Sequence, residues 1–349
     1  MSTVCFPVLS VLDLVPVRDD QSTSDAINAT LSLAKLADRI GYRRYWVAEH
    51  HNMLASAGTN PPVLVAMLAD ATERIRVGSG AVLLPNHTPF VVAEQFALLE
   101  AAHPCRIDLG IGRSSGTDPI TSDALRHGVG GIESHGVMSY PQHIDSVIAM
   151  MKTSGIEMTV AGRRQTLRAT AKATTVPQVW LLGASSQSAR LAGQKGMPYV
   201  FGHHLGVGST AEALHSYRSS FEPSPQLAEP QTILPIHASV ADTYDEAYRA
   251  ALPWLLVMLG LRTGQPQAAV KSIEQAEKIR LPPAHKQIVD AMANQWVIGG
   301  PDDARAQIEG LAATYAVDEV MIHPVSGTYE GADPRSSPGR EQTLRLLAV

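Results

Sequence analysis

Glu49, His50 and His51 stand side by side directly after the apolar run Tyr45-Trp46-Val47-Ala48. A carboxylate flanked by imidazoles can move protons near neutral pH, donate hydrogen bonds or ligate a metal. The plain alternative is a pair of loop histidines bonded to neighbouring backbone. Position favours chemistry: the β-prone, continuously apolar run suits a parallel strand covered on both faces, and parallel α/β proteins build ligand sites at the carboxyl ends of their strands. A second cluster is G-A-S-S-Q-S at residues 183–188. Serines opening a helix set hydroxyls and free backbone N–H groups around one point, which attracts phosphate; an ordinary serine cap explains one of them equally well. Arg113, at the end of another strand, could supply a fixed positive charge to the same phosphate or serve as a surface salt-bridge partner.

Other clusters carry less. Glu49, His50, His51, His87, His203, His204, His237 and His323 offer metal-type ligands, but the strand end lacks an H-x-H pair and no helix carries H-E-x-x-H, so metal hydrolysis is a minority reading and no metal is assigned. Gly110-x-Gly112 followed by Gly116 misses the dinucleotide fingerprint by one residue. Arg163, Arg164, Arg168 and Lys172 read as a solvated helix face rather than a phosphate site.

The elements that must hold these groups alternate regularly. A strand at 8–13 precedes a helix capped by Thr23 or Ser24, carrying Leu33, Leu36, Ala37 and Ile40 at helical spacing and stopped by Gly41. Asn60 caps and Pro61 opens the next helix. The strand at 75–84 contains Gly78 and Gly80, and glycine inside a strand marks a bulge or the close approach of a ligand. Strands near residues 8, 44, 75, 106, 178, 199, 233 and 319 predict a closed (β/α)8 barrel rather than an open sheet, a single domain over 1–349 with insertions at the carboxyl-end face. Residues 117–176 read as a loop plus two helices, the better one at 140–151. Residues 260–290, broken by Pro266 and Pro282-Pro283, read as a mobile excursion.

With 349 residues, 45% of them hydrophobic, the chain can bury a large core, and its net charge of −5 gives no surplus for nucleic acid. Two cysteines without C-x-x-C spacing, no signal-like N-terminus and no membrane-length apolar run predict a soluble cytoplasmic protein.

V-A-E-H-H-N, R-V-G-S-G-A-V-L-L-P, A-E-Q-F-A-L-L-E, R-I-D-L-G-I-G-R and L-L-G-A-S-S-Q-S-A, in this order, resemble the bacterial luciferase-like flavin monooxygenases, and more narrowly members from actinobacterial aromatic polyketide tailoring. The likeness spans residues 8–204, with a weaker echo to the last strand. It implies FMN at the carboxyl-end face of the barrel and homodimerisation through early helices. Carried over residue by residue, Arg113, Ser185 and Ser188 match the phosphate site. Ser115, Leu182, Ala184 and Gly202 match cofactor contacts, and a non-proline cis peptide maps to Gly80-Ala81 beneath the flavin ring. His50 matches the catalytic histidine, with Glu49 and His51 beside it. A second basic phosphate ligand should fall near Tyr140, where this chain has none. That departure implies weaker FMN retention, or Tyr140 or His143 in its place.

The activity so implied is oxygenation of a small organic substrate by reduced FMN and O2 through a C4a-hydroperoxyflavin, in a site that excludes water while His50 handles protons. A separate flavin reductase would supply the reduced cofactor, since no nicotinamide module is recognisable. The alternatives are an F420-dependent hydride transferase on the same barrel and a flavin-binding protein without catalysis.

Overall fold

The computed structural model describes residues 6–114, 116–126, 139–265 and 268–348. Among these, the barrel strands are β1 (Val8–Asp13), β2 (Arg44–Val47), β3 (Arg76–Leu83), β4 (Ile107–Gly112), β7 (Gln178–Gly183), β8 (Tyr199–Phe201), β9 (Thr232–Val240) and β11 (Glu319–Pro324). Each pairs in parallel with the next, and β11 closes onto β1. The eight expected strands therefore form the expected (β/α)8 barrel. β2, β4, β9 and β11 are buried at every position, which is why they read as near-continuous apolar runs.

The helices between them are set by local signals. α1 (Thr23–Arg39) starts at Ser22, not Thr23 or Ser24, because Ser22 and Asp25 form a reciprocal capping box. Gly41 ends the turn after it in the left-handed region, φ 90°. α2 (Pro61–Ala71) is capped by Asn60, whose side chain accepts from the Val63 amide, and α3 (Pro89–Ala102) also opens on proline. α4 (Pro119–Arg126), α5 (Tyr140–Met150), α6 (Ser186–Gln194), α7 (Thr210–Ser219), α8 (Tyr244–Arg262), α9 (Ile273–Glu277), α10 (Pro283–Ala293), α11 (Pro301–Tyr315) and α12 (Pro338–Leu347) follow.

Two elements correct the sequence reading. Residues 156–167 form an exposed antiparallel hairpin, β5 (Ile156–Val160) with β6 (Arg163–Leu167), so Arg163 and Arg164 lie on a strand and not on a helix face. The cause is the turn: Ala161 and Gly162 both take positive φ, 49° and 78°, as a two-residue hairpin turn of the primed type requires. The second is β10 (Val297–Gly299), a short strand pairing with the far end of β9 outside the barrel circuit. Within 260–290, the described residues include α9 and the start of α10.

The barrel interior is layered. At its amino-terminal end Arg44 donates to Glu319 at 2.8 Å and Asp108 at 2.9 Å, and Arg76 closes on the other oxygen of Asp108 at 2.5 Å. Above lie Leu12, Trp46, Trp180, Val200, Ile233 and Met321 as one packed cluster. The carboxyl ends stand over that layer.

Candidate active site

A cavity of about 600 Å³ opens at the carboxyl ends of the strands, lined on its apolar side by Leu12, Leu14, Val200, Leu205, Pro235 and Met321. Volume and lining are those of a small-molecule site. His50, Gly80, Ala81, Arg113, Ser185 and Ser188 all face it, although they come from four different βα units.

β2 delivers Glu49 and His50. Both oxygens of the buried Glu49 are occupied: Oε1 accepts from His51 Nε2 and His87 Nε2, each at 2.8 Å, and Oε2 accepts from the Leu83 amide at 2.9 Å. Burial works to raise its pKa, but these bonds and the His87 charge prevail and hold the carboxyl at about 2. Glu49 is thus an ionised clamp joining the tips of β2 and β3. His51 does not line the cavity; it is the partner of Glu49. His50 is opposite in character. Its backbone N–H donates to the Gly58 carbonyl at 2.7 Å, while Nδ1 is buried without a partner. Burial lowers its pKa to about 4 against the pull of Glu49, so the imidazole is neutral at physiological pH.

β3 passes beneath through the cis Gly80-Ala81 peptide, where its register with β4 shifts between Ser79 and Val82. Ser79 bridges the interruption, donating to the Gly110 carbonyl at 2.9 Å and accepting from the Gly110 amide at 3.0 Å. The glycine signal in this strand therefore marked a bulge at the site.

The opposite wall is polar. Ser185 caps α6, accepting from the Ser188 amide at 3.2 Å, and the Ser188 hydroxyl lies 3.0 Å from that of Tyr199. Gly183 permits this approach, because a Cβ there would sit 2.2 Å from Ser188 Oγ. Arg113 Nη1 donates to Gln187 Oε1 at 2.8 Å. Hydroxyls at a helix N-terminus beside a guanidinium form a donor set suited to a phosphate. Tyr140 and His143 do not line this cavity; the Tyr140 hydroxyl is used on the Ile111 carbonyl at 3.3 Å.

His204, considered from the sequence only as a metal ligand, also lines the cavity, with Nδ1 buried and unpartnered. Burial first, then His203 and His50, lower its pKa to about 3. Beyond it the Nδ1 atoms of His237 and His323 meet at 2.8 Å. Among the described residues no group of three or more potential ligands could hold a metal. Leu182, Ala184 and Gly202, which the resemblance matches to cofactor contacts, line the cavity, whereas Ser115 lies outside the described residues. Gln187 and Tyr199 were not identified as site residues, and His87 was considered only as a metal ligand; their roles depend on contacts between elements distant in the chain.

Residues 9–318 match the family profile described as luciferase-like monooxygenase. A protein of Escherichia coli (strain K12) named luciferase-like monooxygenase is 33% identical over 317 residues, covering 90% of each chain. Among solved structures, apo-MsnO8 is similar with TM-score 0.83 and 32% identity, over 99% of this chain and 97% of that one. The oxygenating constituent of 3,6-diketocamphane monooxygenase from Pseudomonas putida, a type II Baeyer–Villiger enzyme solved with FMN, shares the fold with TM-score 0.71 at 18% identity, over 98% and 97%.

Proposed function

This chain belongs to the luciferase-like monooxygenase family, and we propose that it uses reduced FMN and O2 to oxygenate a small organic substrate, the reduced flavin coming from a separate reductase. The observation that carries this reading is that one cavity gathers His50, the Gly80-Ala81 backbone and the Arg113–Ser185–Ser188 cradle. The residues fit the cofactor: the donors suit its phosphate, and the glycine-bearing β3 backbone admits a flat ring at close range. Gln187 holds Arg113 in place beside the serines, its Oε1 accepting from Arg113 Nη1. FMN, when bound, supplies the two-electron chemistry that activates oxygen.

The chain's own residues do the rest. Leu12, Leu14, Leu83, Leu182, Leu205 and Met321 give the cavity walls that keep out water. His50, neutral and with an orphaned Nδ1, can accept or return a proton at the substrate without first losing a charge. Glu49 transfers no proton in this scheme, since its oxygens are engaged; it fixes His51, His87 and the end of β3. Val63 and Met67 on α2 and Val91 and Leu98 on α3 are exposed apolar side chains on adjacent helices, which supports homodimerisation through this face.

The test is incorporation of labelled oxygen from ¹⁸O2 by protein supplied with FMN and a flavin reductase, with candidate substrates. Label in the product supports the reading. Anaerobic reduction of the substrate by F420H2 with no oxygen incorporated would replace it by hydride transfer, and FMN binding without substrate-dependent oxygen uptake would replace it by a non-catalytic flavoprotein.

A further inference from the structure

β8 is three residues long and pairs with β9 only at Tyr199↔Thr232 and Val200↔Ile233. On that same edge β9 next meets β10 at Ala238↔Val297. Among the described residues, 234–237 between them have no strand partner on this side, and they include Pro235, which has no N–H to offer a ladder. The barrel wall is therefore open above β8. The turn His203–Leu205 lies across the opening, and the His204 ring meets His237 edge-on with centroids 5.5 Å apart.

Outside this opening lies a second cavity of about 540 Å³. His204 is the one lining residue common to both cavities. The outer cavity is lined by Trp296 and Tyr315, by Asn294 and Gln295, and by Thr210, whose hydroxyl bonds His203 at 2.7 Å. Among the described residues no Asp, Glu, Lys or Arg lines it, and the Arg262 guanidinium stands behind the lining Gly206. Aromatic side chains interleaved with hydrogen-bonding ones suit a planar ligand that carries polar oxygens.

We propose that this outer cavity binds the far end of the substrate, a planar aromatic group carrying hydroxyl or carbonyl oxygens, and that the molecule reaches the inner cavity past His204. That the ligand is the substrate rests on the monooxygenase reading; that the cavity binds such a group does not. His204 is suited to yield, since nothing holds its Nδ1.

The probe is 2-naphthol, titrated calorimetrically into flavin-free protein. The expected result is binding that saturating FMN weakens less than twofold and that Ala211→Trp at the cavity mouth weakens at least tenfold. A longer probe, 6-benzyl-2-naphthol, should bind His204→Ala several-fold more tightly than the parent protein, while 2-naphthol should not. No binding, competition with FMN or indifference to Ala211→Trp each overturns the site. An equal effect of His204→Ala on both probes overturns the passage. A protein that takes no FMN would sink the monooxygenase reading while leaving these titrations readable.

Discussion

The two ends of the barrel handle buried polar groups in opposite ways. At the amino-terminal end both oxygens of Asp108 are paired, one with Arg76 and the other with Arg44 and Trp46, and Arg44 also reaches Glu319, Gln178 and the face of Trp180 at 4.8 Å. At the carboxyl end His50 and His204 keep buried ring nitrogens with no partner. A satisfied network in low dielectric rigidifies; an unsatisfied group there is destabilising and persists where a ligand or a reaction uses it. The closed end thus holds the barrel together and the open end is set for chemistry, a division of labour general to this fold.

If that contrast holds, its largest consequence falls at the closed end. Arg44→Met removes the cation paired with buried Glu319 and one of the two arginines on buried Asp108, and should lower unfolding free energy by about 3–5 kcal/mol in chemical denaturation, with FMN affinity of the folded protein within about twofold of the parent. A comparable loss of FMN binding would break the comparison. At the open end, His50→Ala should slow substrate oxygenation by about 10²-fold or more at nearly unchanged stability, measured by labelled-oxygen incorporation and by denaturation of the same preparation. Arg113→Ala should weaken FMN roughly tenfold to a hundredfold, the loss of a charge-assisted bond of ~1.5–3 kcal/mol, read by quenching of flavin fluorescence.

The open end should also show an acid dependence. His50 and His204 are held at about 4 and 3, below the unfolded value near 6.5, so the unfolded chain binds more protons than the native one as pH falls below 6.5. Stability should be full above that pH and decline toward pH 4, by up to about 1.4 kcal/mol per pH unit for each group. Glu49 adds to this at lower pH: its depressed pKa stabilises the fold above about 4.5 and that contribution is lost as pH falls toward 2. Denaturant midpoints between pH 7 and 5 measure the histidine part, and His204→Gln should flatten it.

Much of this was legible in the chain. The barrel strands were readable because a parallel strand packed on both faces leaves an unbroken apolar run, as in Tyr45-Trp46-Val47. The Asn60-Pro61 start and the Gly41 stop act through their own neighbours, so spacing reveals them. The hairpin at 156–167 escaped because its charged, exposed strands carry no core-facing pattern, and only the Ala161-Gly162 turn signals it. β10 is too short for any period to show. At the site, Glu49, His50 and the serine cluster were visible as types at strand ends, but the division of roles among Glu49, His51 and His87 was not. It requires knowing that His87, 38 positions from Glu49, reaches the same carboxylate oxygen as His51.

By itself the sequence determined the alternation of strands and helices, the caps that start them and the presence of an imidazole and an anion cradle at strand tips, because these follow from local propensity and burial pattern. Tertiary structure alone decided which imidazole is clamped and which is left unpartnered, and where the barrel wall opens beside Pro235. Those outcomes depend on register and distance between segments that the chain keeps far apart, and no local pattern encodes them.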